Sequence, residues 1–148
     1  MLILADSRRG LGGYPPVGLK MNRAELALMT GRENPTLELV KDAVAELAAQ
    51  HGHRVLVTMA EQGIAGAAPD ETVSHRPALP LRGEIDIVGA GDSVMANLTA
   101  ALAAGATTAE AVNLAVAGSS IVIHQLGTTG TATVAQIEEL MRTSGMLA

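Results

Sequence analysis

The sequence predicts a single α/β domain, residues 1–148, with a largely parallel sheet, and three observations support that prediction. Short apolar runs that suit buried strands alternate with longer segments in which apolar residues recur at helical spacing. Signals that start and end helices separate these segments. The chain has 148 residues, of which 48% are hydrophobic, so it can bury the core of one domain but is short for two full domains.

The first half of the chain is expected to contain the strands. Asn22 is a good N-cap residue, and Gly31 and Gly52 suit the ends of two helices. Pro35 is expected at the first position of the second helix, and Pro69–Asp70 suits the turn of a hairpin. In chain order, we expect a strand at 2–5, a loop at 10–18, a strand at 17–21, a helix at 23–30, a helix ending at Gly52, a strand at 54–58 and a hairpin of 63–67 with 72–76.

The second half of the chain is expected to be helical after a connector at 77–84. Thr107 and Glu110 have the spacing of a capping box, as do Thr133 and Gln136, so each pair is expected to start a helix. The expected helices run from the turn at 86–92 to about Ala104, from Thr107 through about His124, and over 134–142.

The composition argues against several classes of function. The formal net charge is −5, the basic residues form no sustained run, and Tyr14 is the one aromatic residue, whereas nucleic-acid-binding proteins usually present a basic face. The absence of cysteine excludes disulfides and thiolate metal sites. No apolar stretch approaches the roughly 20 residues that span a bilayer, and the N-terminus does not resemble a secretory signal. We therefore expect a soluble, cytoplasmic protein that binds neither nucleic acid nor membranes.

The segment Val88–Asp92, V-G-A-G-D, carries the clearest chemical signal. Its small residues let the backbone approach a ligand closely, and the N–H groups at a helix start favour a negative charge. Asp92 at the same place suits a base that accepts a proton from a hydroxyl, so the pair of features fits phosphoryl transfer to an alcohol. The alternative is structural, because Asp is a favoured N-cap residue and glycine is common in loops.

Four segments in order resemble the PfkB carbohydrate kinases, the ribokinase-like family. Asp86–Ser93, D-I-V-G-A-G-D-S, resembles the D-T-x-G-A-G-D-x signature, and Lys20–Glu25, K-M-N-R-A-E, resembles the K-P-N-x-x-E segment. Val55–Gly63, V-L-V-T-M-A-E-Q-G, resembles V-x-V-T-x-G-x-x-G, and Pro77–Pro80 resembles the connector before the signature. The resemblance implies a partial ribokinase-like three-layer α/β/α sandwich that corresponds to the C-terminal half of such a kinase.

The resemblance also implies an activity and the residues that perform it. The protein would be an ATP-dependent kinase acting on a hydroxyl of a sugar or sugar phosphate, with Asp92 as general base. The backbone of Gly89, Ala90 and Gly91 would form the anion hole for the transferring phosphoryl group. The C-terminal run Gln125–Val134 is similar to the heptose-phosphate kinase branch of the family.

Cofactor sites follow from the same resemblance. Asn22 and Glu25 would organise Mg²⁺ and the ATP phosphates, largely through water; the structural alternative is an Asn N-cap with a first-turn Glu. Asp86, with the backbone of Val88 and Gly127, matches the loops that hold an activating monovalent cation, K⁺. The residues implied at the nucleotide are Asn22, Thr58, Glu61, Gly63 and Gly91.

Two kinds of departure from the family pattern favour a second hypothesis. Met21, Ala60, Ile87 and Val116 replace the family's Pro, Gly, Thr and Asn, and a Cβ at Ala60 is expected to crowd a phosphate or shift the backbone. The resemblance begins midway through the usual fold, so the acceptor-binding half and the lid have no counterpart in the sequence. The alternatives are a truncated, inactive nucleotide-binding or regulatory module, or a purely structural α/β domain. A homo-oligomer or a second chain that supplies the missing half is the expected partner.

Overall fold

The computed structural model describes residues 1–147, which divide into two compact units, one formed by Met1–Pro77 and one that begins at Ala78. The sheet lies in the first unit and the three long helices after Gly89 lie in the second. The α/β class expected from the sequence is confirmed, whereas the expectation of a single domain remains a prediction.

The first unit contains a five-stranded mixed sheet with strand order β1-β2-β3-β4-β5. Strands β1 to β3 are parallel, and β3, β4 and β5 are joined antiparallel. Two of the four strand pairings are thus antiparallel. The connections from β3 to β4 and from β4 to β5 are too short for the crossover that a parallel pairing needs. The elements are β1 (Leu4–Ala5), β2 (Gly18–Asn22), α1 (Arg23–Thr30), α2 (Leu37–His51), β3 (Val55–Thr58), a 3₁₀ turn (Ala60–Gln62), β4 (Ile64–Ala67) and β5 (Ser74–Arg76).

The start of α2 corrects one expectation. The helix begins at Leu37, not at Pro35, because the Thr36 side chain accepts a hydrogen bond from the backbone N–H of Leu39 and acts as the N-cap. Asn34, two residues earlier, has a positive φ of 45°. The other helix ends of this unit were predicted correctly: Asn22 caps α1, and Gly31 and Gly52 end α1 and α2 in the left-handed conformation. The strands expected at 2–5 and 72–76 each begin two residues later than predicted.

Both helices of the first unit pack against the sheet and bury an aliphatic core. Leu26 of α1 and Val40 and Val44 of α2 are fully buried with Leu19 and Val55 of the sheet. This core has no aromatic residue, which agrees with the composition. It fixes the carboxyl ends of β2 and β3, where the predicted nucleotide residues begin.

The second unit is built from three helices: α3 (Ala90–Ala103), α4 (Thr108–Val122) and α5 (Val134–Thr143). Helix α4 packs against both α3 and α5. The two predicted capping boxes are present, with Thr107 paired to Glu110 and Thr133 paired to Gln136. None of the helices within residues 1–147 combines the length and the apolar character needed to cross a membrane.

Helices α3 and α4 approach each other closely at Asn97 and Gly118. The side chain of Asn97 on α3 donates hydrogen bonds to the carbonyl (2.9 Å) and the hydroxyl (3.3 Å) of Ser93. It lies so close to Gly118 on α4 that a Cβ there would be 2.4 Å from the Asn97 amide nitrogen. Only glycine therefore fits at position 118 without displacing Asn97.

Candidate functional site

The end of β2 holds Asn22 and Glu25 in a reciprocal pair of hydrogen bonds. The Asn22 side chain accepts from the backbone N–H of Glu25 at 2.9 Å, and the Glu25 carboxylate accepts from the backbone N–H of Asn22 at 2.7 Å. The cap that was the structural alternative for this pair is thus present. It also orients both side chains, and it uses only one of the two Glu25 carboxylate oxygens.

Thr58 lies beside Asn22 because β2 and β3 are parallel and these two residues are partners in the register. The carboxyl ends of parallel strands meet at the same edge of a sheet, where the connections to the next elements begin. The Thr58 hydroxyl donates to the carbonyl of Met21 at 3.5 Å. Asn22 and Thr58 are therefore neighbours in the sheet, and Glu25 is hydrogen-bonded to Asn22.

The loop after β3 contains Glu61 and Gly63 and folds as a tight 3₁₀ turn. The N–H of Met59 donates to the carbonyl of Gly63 at 2.8 Å, and the N–H of Gly63 donates to the carbonyl of Ala60 at 2.9 Å. Ala60 has a φ of 50°, the left-handed conformation that costs a residue with a Cβ roughly 1–2 kcal/mol. Ala60 therefore keeps a backbone conformation that glycine would adopt freely, at a cost in strain.

Sequence reasoning missed two side chains in the first unit that hold this loop, Arg23 and His75. An N–H of the Arg23 guanidinium donates to the side-chain oxygen of Gln62. His75 of β5 donates from Nε2 to the backbone carbonyl of Gln62 at 2.7 Å. No local pattern predicts these contacts, because Arg23 and Gln62 are 39 residues apart.

An ion pair between the buried Lys20 and the more exposed Asp6 was also not predicted. The Lys20 Nζ lies 2.8 Å from an Asp6 carboxylate oxygen, and the two side chains are 6% and 31% exposed. Lys20 is on β2 and Asp6 follows β1, so the parallel pairing of these strands brings the charges together. The ammonium is desolvated and depends on this carboxylate for compensation.

In the second unit, Gly89 shapes the turn at the start of α3. Gly89 is the N-cap and has a φ of 81°, and a Cβ added to it would be 2.6 Å from the carbonyl oxygen of Thr129. The structural alternative that made Asp92 the N-cap is therefore wrong, because Gly89 takes that position and Asp92 lies within the first turn of the helix.

The first turn of α3 presents two backbone donors beside Asp92. The N–H of Ala90 donates to Ile87 and that of Ser93 donates to Gly89. The N–H groups of Gly91 and Asp92 lie between these two, in the first turn, where no intrahelical acceptor exists. Both residues are exposed at the positive end of the helix dipole. The turn can therefore receive an anion.

The Asp92 carboxylate is exposed and has no hydrogen-bond or ion-pair partner in the part of the chain that the structure describes. An exposed, unpartnered carboxylate beside backbone donors can accept a proton from a neighbouring hydroxyl. The geometry thus places Gly89, Ala90, Gly91 and Asp92 on one turn.

Asp86 ties this turn to the loop after α4. One carboxylate oxygen accepts from the N–H of Val88 at 3.0 Å, and the other accepts from the N–H of Gly127 at 3.1 Å. The N–H of Asp86 itself donates to the carbonyl of Ile123 at 2.7 Å. The three residues expected around a monovalent cation are therefore adjacent, with two amide N–H groups facing the carboxylate.

Two other features of the described residues bear on ligand sites. A cleft of about 580 Å³ lies among α4, the residues that follow it, α5 and the connector. Arg82, His124 and Glu139 are among the residues that line it, and none of the predicted site residues does. Within residues 1–147, no group of three or more His, Cys, Asp or Glu side chains is arranged to hold a metal ion. Neither feature adds a residue to the two predicted sites.

The comparisons with known proteins concern the family and the fold of the chain. The family model described as pfkB family carbohydrate kinase matches residues 16–135. The bifunctional protein HldE of Paramagnetospirillum magneticum is 41% identical over 108 residues, which is 72% of this chain and 22% of that protein. The chain therefore spans about a fifth of the length of this curated relative.

Two solved structures share the fold. Arabidopsis thaliana ribokinase complexed with ribose and ATP matches with a TM-score of 0.77 and 25% identity, over 90% of this chain and 46% of that one. Phosphofructokinase-2 from Escherichia coli in complex with potassium matches with a TM-score of 0.76 and 26% identity, over 86% and 41%. The predicted ribokinase-like fold class is confirmed, and the chain covers part of that fold. With more than half of its length matched by the family model, the chain belongs to the pfkB family of carbohydrate kinases.

Proposed function

We propose that the chain supplies the nucleotide-binding and proton-accepting groups of an ATP-dependent kinase that phosphorylates a hydroxyl of a sugar or sugar phosphate. The observation that carries this proposal is the first turn of α3, where the exposed Asp92 carboxylate lies beside two backbone N–H groups. Asp92 takes the proton of the acceptor hydroxyl as its oxygen forms a bond to the γ-phosphorus. The bond from that phosphorus to the bridging oxygen of ADP breaks, and the N–H groups stabilise the charge that develops.

The first unit offers oxygen and backbone groups for the ATP phosphates and Mg²⁺. Thr58, Glu61 and Gly63 lie at or after the end of β3, and Asn22 and Glu25 lie at the neighbouring end of β2. Mg²⁺ prefers oxygen ligands and retains several waters, so an amide and a carboxylate that keep free lone pairs suit a hydrated ion. The ion supplies charge neutralisation at the phosphates, and the residues orient it largely through water.

Asp86 is the proposed residue for an activating K⁺, together with the backbone near Val88 and Gly127. A solved relative is described in complex with potassium, and the three matching positions are adjacent in this chain. Each Asp86 oxygen accepts one amide hydrogen bond and keeps a second lone pair for a cation.

The acceptor is proposed at the level of its class. Solved relatives are described with ribose and ATP or as phosphofructokinases, which favours a sugar or sugar phosphate. The chain covers 46% or less of these structures, so we propose that a further segment, a second copy or another chain supplies the remaining contacts to the acceptor.

Titration calorimetry with Mg²⁺-ATP tests the nucleotide site. We expect wild-type protein to bind, Gly91→Val to lose binding because its side chain obstructs the approach to the N–H groups, and Ala100→Val, an exposed control on the same helix, to bind normally. Turnover of a sugar acceptor that disappears in Asp92→Asn then tests the base. Turnover that persists in Asp92→Asn contradicts the catalytic assignment.

The second candidate is a nucleotide-binding module without kinase activity. The strained Ala60 in the loop after β3 and the partial coverage of the solved kinases favour it. It predicts that Mg²⁺-ATP binds while no acceptor is phosphorylated, including after addition of a chain that carries the other half of the fold.

A further inference from the structure

Gln62 is held from two directions within the first unit. The guanidinium of Arg23, the first residue of α1, donates to its side-chain oxygen, and Nε2 of His75 on β5 donates to its backbone carbonyl at 2.7 Å. We call these three residues the Gln62 clamp. Gln62 is the last residue of the 3₁₀ turn that contains Glu61 and precedes Gly63.

The turn that the clamp holds contains backbone strain. Ala60 has a φ of 50°, in the region that residues with a Cβ rarely occupy. Such a conformation persists only where the surrounding structure fixes it. The described contacts around this turn are its own backbone hydrogen bonds, the pairing of Thr58 with Ile64 at its ends, the burial of Met59 in the core, and the two bonds of the clamp to Gln62.

Arg23 also lies between the two residues of the N-x-x-E segment. It directly follows Asn22 and stands two residues before Glu25, so its contact with Gln62 connects that segment to the loop after β3. Its Nε atom is buried and has no hydrogen-bond partner among the described residues. The contact with Gln62 is made by one terminal nitrogen, Nη2, which the planar guanidinium holds in a fixed orientation.

We propose that Arg23 is a positioning residue for the nucleotide phosphates, acting through Gln62 to hold Ala60 in the left-handed conformation. The proposal has two parts. The nucleotide part, that Arg23 affects binding of the phosphates, rests on the proposed function. The mechanical part, that Arg23 holds the conformation of the loop, does not depend on it. Arg23 compensates for the alanine that replaces the glycine of the family pattern in this loop.

Amide hydrogen exchange without nucleotide tests the mechanical part. The reporters are the amides of Met59, Gln62 and Gly63, which are hydrogen-bonded inside the turn. Arg23→Met and Gln62→Ala should each accelerate their exchange by about tenfold, since a hydrogen bond to a charged group contributes on that scale. The double variant should exchange as fast as either single variant. Lys41→Met, which removes an exposed ion pair on α2, is the control and should change nothing.

Ala60→Gly makes the test specific to strain. Because glycine enters the left-handed region freely, the effect of Arg23→Met on exchange should be several-fold smaller in the Ala60→Gly background. A merely structural Arg23 would have the same effect in both backgrounds. An equal effect in both, or unchanged exchange in Gln62→Ala, overturns the proposal.

Calorimetry with Mg²⁺-ATP tests the nucleotide part on the same variants. Arg23→Met should weaken binding by roughly fivefold or more, and Ala60→Gly should restore most of that loss. If wild-type protein binds no Mg²⁺-ATP, the proposed function and the nucleotide part fail together, while the exchange data still decide the mechanical part. If Arg23→Met accelerates exchange but binds as tightly as wild type, the nucleotide part alone is overturned.

Discussion

The carboxylate of Asp86 accepts a hydrogen bond from the backbone N–H of Gly127, 41 residues later in the chain, at 3.1 Å. The other oxygen of the same carboxylate accepts from Val88, so one side chain joins the turn before α3 to the loop after α4. The turn that presents Asp92 is thereby held by a single charged group.

Loss of the Asp86 carboxylate should loosen this connection. Asp86→Ala removes two charge-assisted acceptors at a half-buried position, and we expect the free energy of unfolding to fall by about 1–2 kcal/mol. Urea unfolding measures the change. Glu84→Gln, an exposed acidic residue two positions earlier, is the control and should stay within about 0.5 kcal/mol of wild type. Equal effects of the two substitutions would show that the carboxylate does not hold the turn.

Gly89→Ala should destabilise the protein through the positive φ at this position and through the contact of the added Cβ with Thr129, and the two effects can be measured separately. Position 89 has a φ of 81°, and an added Cβ would be 2.6 Å from the Thr129 carbonyl oxygen. Gly105 has a φ of 90° and open space around it, so Gly105→Ala reports the backbone cost alone, about 1–2 kcal/mol. We expect thermal or urea unfolding to show a further loss of about 1–3 kcal/mol for Gly89→Ala. A smaller loss for Gly89→Ala than for Gly105→Ala would contradict the close approach.

The Lys20–Asp6 pair should respond asymmetrically to substitution. Asp6→Ala leaves a 6% exposed ammonium without its partner, whereas Lys20→Met leaves a carboxylate that is 31% exposed and can be hydrated. We expect Asp6→Ala to cost about 2–4 kcal/mol in urea unfolding and Lys20→Met to cost clearly less. The double variant should recover part of the loss. If Lys20→Met is the more harmful change, the Lys20 ammonium does not depend on Asp6 as the distance suggests.

The capping box of α4 predicts a pH dependence. A hydrogen bond from the backbone N–H of Thr107, followed by one from its hydroxyl, lowers the pKa of Glu110 below its ordinary value of 4.5. Because the pKa is lower in the folded state, the stabilisation is complete above the unfolded-state pKa and disappears as the pH falls through the folded-state pKa. The difference in unfolding free energy between wild type and Glu110→Gln should therefore be largest near neutral pH and vanish in strong acid.

The exposed Glu138 of α5 provides the control for this measurement. The stability of Glu138→Gln should follow that of wild type across the same range, since no described hydrogen bond or ion pair engages its carboxylate. A constant difference between wild type and Glu110→Gln from neutral to acid pH would contradict the assignment.

Local patterns predicted most of the fold, and contacts distant in sequence were the part they could not supply. The pairs Asn22–Glu25 and Thr107–Glu110 are three residues apart, so helix geometry alone brings them together. The start of α2 was predicted two residues too early because Pro35 and Thr36 both suit a helix start and the sequence does not rank them.

In the candidate site, too, some groupings of residues could be predicted from the sequence and contacts that depend on tertiary packing could not. Motif resemblance grouped Asp86 with Gly127, but it gave no sign of the contact between Arg23 and Gln62. That contact depends on how α1 and the loop after β3 approach each other, which tertiary packing decides. The catalytic and ligand roles of the predicted residues remain predictions.

The side chain of Asn97 occupies the space between α3 and α4 at Gly118. Its amide nitrogen fills the space over Gly118 and is tied to the carbonyl of Ser93, the residue directly after Asp92. Sliding of α3 along α4 would carry this amide away from Gly118, whereas its bond to Ser93 lies within α3 and would be kept. The helix whose first turn contains Asp92 is therefore packed closely against α4 by a contact in which Asp92 takes no part.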